Sequence, residues 1–179
     1  METQKLAGAT FTVSVDTTGW SSDLIALLPS GFTAAEGSAT YVLTTGATNA
    51  NGQVSVNDLP VYNGSNLIVY TVAEATAPAN YLKDEASQTA SLTLNDNAYT
   101  ASLTFKNPPV AKAVITKTWY SQWESDSDNR IDYALEGAQI AIFEEVDGKL
   151  VQVGDTQTTG TDGTTTFDGL DGTKTYYVF

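Results

Sequence analysis

Twelve residues of this chain occur twice in related form. Thr48 to Leu59 reads Thr-Asn-Ala-Asn-Gly-Gln-Val-Ser-Val-Asn-Asp-Leu, and Thr159 to Leu170 reads Thr-Gly-Thr-Asp-Gly-Thr-Thr-Thr-Phe-Asp-Gly-Leu. Flanking echoes keep the same order. Leu135-Glu136-Gly137-Ala138-Gln139-Ile140 repeats Leu6-Ala7-Gly8-Ala9-Thr10-Phe11, and Tyr176-Tyr177-Val178 repeats Tyr70-Thr71-Val72. Echoes in fixed order mark a duplicated module. The repeated pieces alternate polar with apolar residues and favour threonine, valine and tyrosine, which suit pleated structure. The chain is therefore expected to fold as two similar all-β modules. The first copy carries the longer insertion between its echoes.

Composition removes several functions. The 179 residues hold one large domain or two small ones, and 41% are apolar, enough for a core. Net charge is −13 with no histidine, so a phosphate backbone would be repelled and nucleic-acid binding is not expected. With no cysteine, disulfides, thiolate metal sites and thiol catalysis are excluded. Without histidine there is no Ser-His-Asp triad and no imidazole ligand, so no cofactor and no enzyme acting on an external substrate are expected. No apolar run approaches the roughly 20 residues of a membrane span. Met1 to Lys5 lacks the apolar core of a signal peptide. The chain is then either cytosolic or a segment of a longer precursor, and its interrupted repeats favour the second.

In chain order, Thr10 to Val15 reads as a strand with Phe11, Val13 and Val15 inward. Ser21 to Pro29 reads as one short helix, with Leu24, Leu27 and Leu28 at helical spacing. Short strands are expected at Tyr41–Leu43 and Val54–Val56, with turns at Asn51-Gly52 and Asn63-Gly64-Ser65. The latter also fits a glycosylation sequon but reads as a plain turn. Two more strands are expected, Thr89 to Leu94 and Tyr99 to Phe105, the second with Tyr99, Ala101, Leu103 and Phe105 on one face. Pro108-Pro109 is the natural boundary, giving modules at residues 1–109 and 110–179. After it, Ala113, Ile115, Lys117 and Trp119 alternate on one face. The acidic loop Glu124 to Asn129 lacks the glycine and distal glutamate of a calcium loop and reads as a solvated loop.

Three polar side chains fall in apolar register. Ile68, Tyr70 and Val72 share a strand face, and Glu74 continues it before Ala77-Pro78 ends the strand. Asn107 continues the phase of Leu103 and Phe105, and Lys117 that of Ala113 and Ile115. A buried carboxyl is costly unless paired, hydrogen-bonded or neutral, so Glu74 demands a reason.

Leu-x-Gly-Ala-x-Phe, Thr-x-x-x-Gly-x-Val-x-Val-x-x-Leu, Tyr-x-Val-x-Glu-x-x-Ala-Pro-x-x-Tyr and a last strand ending in Asn-Pro together resemble the Cna B-type, SpaA-like domain. That domain is a prealbumin-like β-sandwich of Gram-positive adhesins and sortase-assembled pilins. The resemblance runs through both copies. It implies two tandem immunoglobulin/prealbumin-like β-sandwich modules, the first lacking its usual first strand and the second incomplete at its C-terminal end. It also implies a spontaneous isopeptide bond between a first-strand lysine and a last-strand asparagine, promoted by a buried acid. Desolvation favours the neutral, nucleophilic amine, and the acid shuttles a proton to the leaving ammonia. Matched residue by residue, Glu74 takes the place of the acid, Asn107 of the amide acceptor and Lys117 of the second module's lysine. Lys5 directly precedes Leu6, whereas the family lysine lies several residues upstream, so the first module's lysine is not evident. The partner of Glu74 in the second copy would be position 180, one past Phe179.

The function so implied is a stalk module of a Gram-positive surface adhesin or pilus, extracellular and cell wall-attached in its parent protein. Its only chemistry is autocatalytic crosslinking. Its partners are neighbouring domains of that protein and a strand from another chain completing a truncated module. The alternative is an adhesin domain contacting host extracellular matrix or glycan, through the insertion Gly19-Trp20 to Gly31 or the aromatics Trp119 and Trp123. Exposed aromatics favour that alternative, and buried ones favour the stalk.

Overall fold

A computed structural model describes residues 4–120 and 132–179. The acidic loop Glu124 to Asn129 and Trp123 lie outside the described residues. The chain divides into two compact units, Met1–Pro108 and Pro109–Phe179. Both are built almost entirely from strands.

Unit 1 contains β1 (Thr10–Asp16), β2 (Thr33–Ala34), β3 (Thr40–Thr44), β4 (Tyr62–Asn63), β5 (Asn66–Leu67), β6 (Tyr70–Thr76), β7 (Ser87–Ala90), β8 (Thr93–Asn95) and β9 (Ala98–Thr100). Its main sheet has the order β2-β3-β1-β6-β7, and β4-β5 and β8-β9 form separate hairpins. The central strand, β1, pairs antiparallel with β3 and β6, aligning Val13 with Leu43 on one side and Val72 on the other. Its inward residues Val13 and Val15 join Leu28, Phe32, Ile68 and Tyr70 in the core, on which Trp20, Val56 and Leu59 also pack. Ser21 caps the single turn of helix α1 (Ser22–Ile25) by accepting a hydrogen bond from Leu24 N–H. The expected helical face is only partly realised: Leu28 is buried, but Leu27 is 65% exposed because the helix ends after one turn.

Three expected strands change shape. Val54–Val56 alternates in burial but joins no sheet. The expected strand at Thr89–Leu94 is divided between β7, which pairs with β6, and β8, which pairs with β9. β9 ends at Thr100, and residues 101–107 continue without joining a sheet. Tyr99 is correspondingly exposed and meets Tyr62 edge-on at 6.0 Å. Alternation records a facing direction, whereas a strand also needs a neighbour to receive its hydrogen bonds.

Unit 2 contains β10 (Val110–Thr116), β11 (Thr118–Tyr120), β12 (Asp132–Ala134), β13 (Gln139–Ile140), β14 (Ile142–Val146), β15 (Lys149–Gln152), β16 (Gln157–Thr158), β17 (Thr164–Asp171) and β18 (Tyr176–Val178). Strand β10 pairs with β17, and β14 lies between β15 and β18. Ile140, Ile142, Phe167 and Leu170 form the core, with Ala111, Ala113 and Ile115 packed against it.

The sequence echoes share one hydrogen-bonding device. In unit 1 the buried Thr48 hydroxyl accepts from Ala9 N–H at 3.1 Å and donates to Leu6 C=O at 2.8 Å. In unit 2 the Thr159 hydroxyl accepts from Ala138 N–H at 3.0 Å and donates to Leu135 C=O at 2.5 Å. Gly8 and Gly137 both take positive φ, 97° and 81°, and both donate N–H to the threonine carbonyl. The first residues of each module are thereby tied to its Thr-x-x-x-Gly turn.

Candidate functional site

Strand β6 carries the site. Its alternation sends Tyr70 and Glu74 inward, each at 2% exposure, in phase with Ile68 just ahead of the strand at 4%. Glu74 stands opposite Phe11 of β1, just past a register shift between Thr10 and Phe11. Phe11 in turn packs on Phe105 with ring centroids 4.9 Å apart, which brings the segment after β9 over the sheet. Two residues beyond Phe105, the same phase delivers Asn107.

Asn107 and Glu74 meet side chain to side chain. Asn107 Nδ2 donates to Glu74 Oε2 at 2.6 Å and to Leu82 C=O at 2.9 Å. Glu74 Oε2 also accepts from Asp84 N–H at 2.7 Å. The other carboxyl oxygen, Oε1, is buried and has no hydrogen-bond partner. Asp84 fixes the surrounding backbone, its carboxylate accepting from Ala86 N–H and Lys106 N–H. Leu82 N–H donates to Pro108 C=O at 2.8 Å, which holds the end of the Asn107 segment against the loop after β6. The half-buried amide of Asn107 is thus presented beside a buried carboxyl group, an arrangement suited to proton transfer at the amide nitrogen.

Residues 1–109 match the SpaA prealbumin-like fold domain. The chain belongs to this family. Two solved structures resemble it at 21% identity: a shaft pilin SpaA from Lactobacillus rhamnosus GG, at TM-score 0.40 over 96% of this chain and 73% of that one, and the Bacillus anthracis TIE protein, at TM-score 0.39 over 92% of this chain. The chain spans 23% of the length of the TIE protein. No curated protein matches it.

Of the three residues singled out in the sequence, the fold brings Glu74 and Asn107 together. Lys117 lies in unit 2 and departs from its expected inward position. Ala113 and Ile115 are half-buried, but Lys117 is exposed and Trp119 is 48% exposed. The cause is where the sheet ends: β17 begins opposite Thr116, and Lys117 bonds the turn before β17. The roles of Asp84 and Leu82 escaped sequence reading. They sit in a loop, Leu82 acting through its backbone and Asp84 through both backbone and carboxylate, and a loop carries no periodic signal. Among the described residues no group of three or more acidic side chains gathers to hold a metal, and no helix is long and apolar enough to cross a membrane.

Proposed function

We propose that this chain is a structural stalk segment of a Gram-positive surface adhesin or pilus, in which Glu74 and Asn107 form the acid and acceptor half of a Lys–Asn isopeptide site. The observation that carries the proposal is the 2.6 Å hydrogen bond between the Asn107 amide and a glutamate only 2% exposed. A lysine Nζ entering this site attacks Asn107 Cγ, a C–N bond forms, the Cγ–Nδ2 bond breaks, and ammonia leaves. Glu74 relays the proton from Nζ to the departing nitrogen, and the rigid sheet holds the reacting groups in place. Lys117 has the corresponding amine role in the second module. The product would be a covalent tie between strands of a protein that has no cysteine. Intact mass of the parent surface protein tests this: each crosslink removes one ammonia, and Glu74→Ala or Asn107→Ala restores the unreacted mass. A parent protein carrying its full calculated mass would refute the crosslinking role.

A second reading attaches to β11 and β12. Trp119 stacks on Tyr133 at 4.9 Å and 24°, and both rings are more than 40% exposed. Such a platform suits the apolar face of a sugar ring or a partner's side chain. Trp20, by contrast, packs against the core of unit 1 and favours the stalk for that insertion. A fluorescence change on glycan titration that is abolished by Trp119→Ala would support the adhesin reading.

A further inference from the structure

Two hairpins of unit 1 stand apart from its main sheet. β4 and β5 pair only with each other, and so do β8 and β9. Each is closed by a two-residue turn, Gly64-Ser65 in one and Asp96-Asn97 in the other. Asp96 and Asn97 both take positive φ, 44° and 67°, as a tight hairpin turn requires. A two-stranded hairpin is marginal in water without a further partner. Here each hairpin meets the other through a tyrosine. Tyr62 stands across from Leu67 in the first, and Tyr99 across from Leu94 in the second. The two rings meet edge-on with centroids 6.0 Å apart. They meet at their hydroxyl ends: Tyr99 raises the Tyr62 pKa, first as a hydrogen-bond partner and then by charge. The ring carbons next to each hydroxyl are therefore brought towards one another.

Both rings are also open to solvent, Tyr62 at 45% and Tyr99 at 42% exposure. Other tyrosines are placed differently. Tyr70 is buried and gives its hydroxyl to Pro60 C=O, and the Tyr81 and Tyr177 hydroxyls go to Gln4 and Glu145. Tyr133 stacks on Trp119. Sulfur side chains ordinarily take an oxidant first, and this chain has no cysteine and a single methionine.

We propose that Tyr62 and Tyr99 form an oxidative crosslinking site, at which a peroxide-driven one-electron oxidant couples them into dityrosine. Each phenol gives up one electron and its hydroxyl proton. The two radicals join through a carbon–carbon bond between the ring positions next to the hydroxyls. The hydrogens on those two carbons then move to the oxygens and restore both phenols. Two electrons and two protons leave in all, and they reduce one peroxide to two waters. The product closes a covalent loop from β4 to β9, and β6 with Glu74 lies inside it. Tension along the chain then passes through the tie and leaves β6 unloaded. This chemistry is separate from that at Glu74 and Asn107 and does not depend on it.

The test treats the full chain with hydrogen peroxide and a haem peroxidase, then isolates the monomer. The expected product is lighter by two hydrogens, shows dityrosine fluorescence and yields one joined peptide containing Tyr62 and Tyr99. Its yield should not change on dilution, as an intramolecular reaction requires. Tyr62→Phe and Tyr99→Phe keep the ring contact but remove the phenol, and each should abolish that peptide. In single-molecule pulling, the crosslinked chain should reach full extension roughly 120 Å shorter than the untreated one. Absence of the Tyr62–Tyr99 peptide from the monomer, or monomer dityrosine undiminished in the phenylalanine variants, overturns the site. A crosslinked monomer that extends as far as the untreated chain refutes the shielding of β6.

Discussion

Replacing Glu74 separates the shape of its side chain from its hydrogen bonding. In Glu74→Ala the Asp84 N–H loses its acceptor, and Asn107 Nδ2 keeps only Leu82 C=O. A buried donor left without a partner costs about 1–3 kcal/mol. One buried methylene group, Cγ, also disappears with the carboxyl group, and contributes about 0.8 kcal/mol. Since Asn107 keeps one of its two acceptors, the lower part of the hydrogen-bond range applies to it. The expected loss is about 3–5 kcal/mol in unit 1. In Glu74→Gln the side-chain carbonyl still accepts both hydrogen bonds, and the amide group occupies the position of the unpartnered Oε1. The change there should stay within about 1 kcal/mol. Because the chain has two units, a single unfolding midpoint would mix them. Native-state amide exchange at Val13, Val15 and Val72, against Ile142 and Phe167, reads each unit separately. Glu74→Ala should raise exchange in the first set and leave the second unchanged. If the alanine variant were as stable as the parent, or the glutamine variant as damaged as the alanine one, the hydrogen-bond account of Glu74 would fail.

Thr48→Val and Thr159→Val each remove a hydroxyl that both donates and accepts, and each should cost its own unit about 2–3 kcal/mol in the same exchange measurement. A loss that spreads to the other unit would contradict their independence. Tyr70, whose hydroxyl donates to Pro60 C=O at 2.7 Å, has its pKa pushed up to about 12 by burial. The folded unit therefore holds this proton more tightly than the unfolded chain. Its stabilising contribution is whole below about pH 10 and is lost as pH rises towards about 12, at most about 2.7 kcal/mol. Tyr70→Phe should flatten that alkaline fall relative to the parent in pH-dependent unfolding, and an unchanged slope would refute it. Gly163→Ala would set a Cβ 2.7 Å from the Lys117 carbonyl at a φ of +73°, so unit 2 should lose about 2 kcal/mol or more in urea unfolding. A neutral result would show that the turn before β17 yields.

The duplicated all-β architecture was legible in the sequence because period-two alternation and repeated turn residues survive without knowledge of neighbours. Glu74 and Asn107 were legible for the same reason: each extends an apolar phase by one step, from Val72 and from Phe105. Pairing was not legible. Val54 and Val56 show the same alternation as Val13 and Val15, yet only the latter sit between two strands. Lys117 misled because phase cannot tell where the covering layer stops. Asp84 and Leu82 could not be found by pattern, since both sit in an irregular loop where the Leu82 C=O, the Asp84 N–H and the Asp84 carboxylate make their bonds without periodic spacing.

Both unpaired segments of unit 1 run into proline, residues 53–59 into Pro60 and residues 101–107 into Pro108. A proline has no N–H to extend a ladder. Each edge is consequently finite, a berth of about seven residues with a stop at one end. The proline at the end of each segment therefore limits any edge-to-edge pairing through it to about seven residues, too short a ladder to template a fibre.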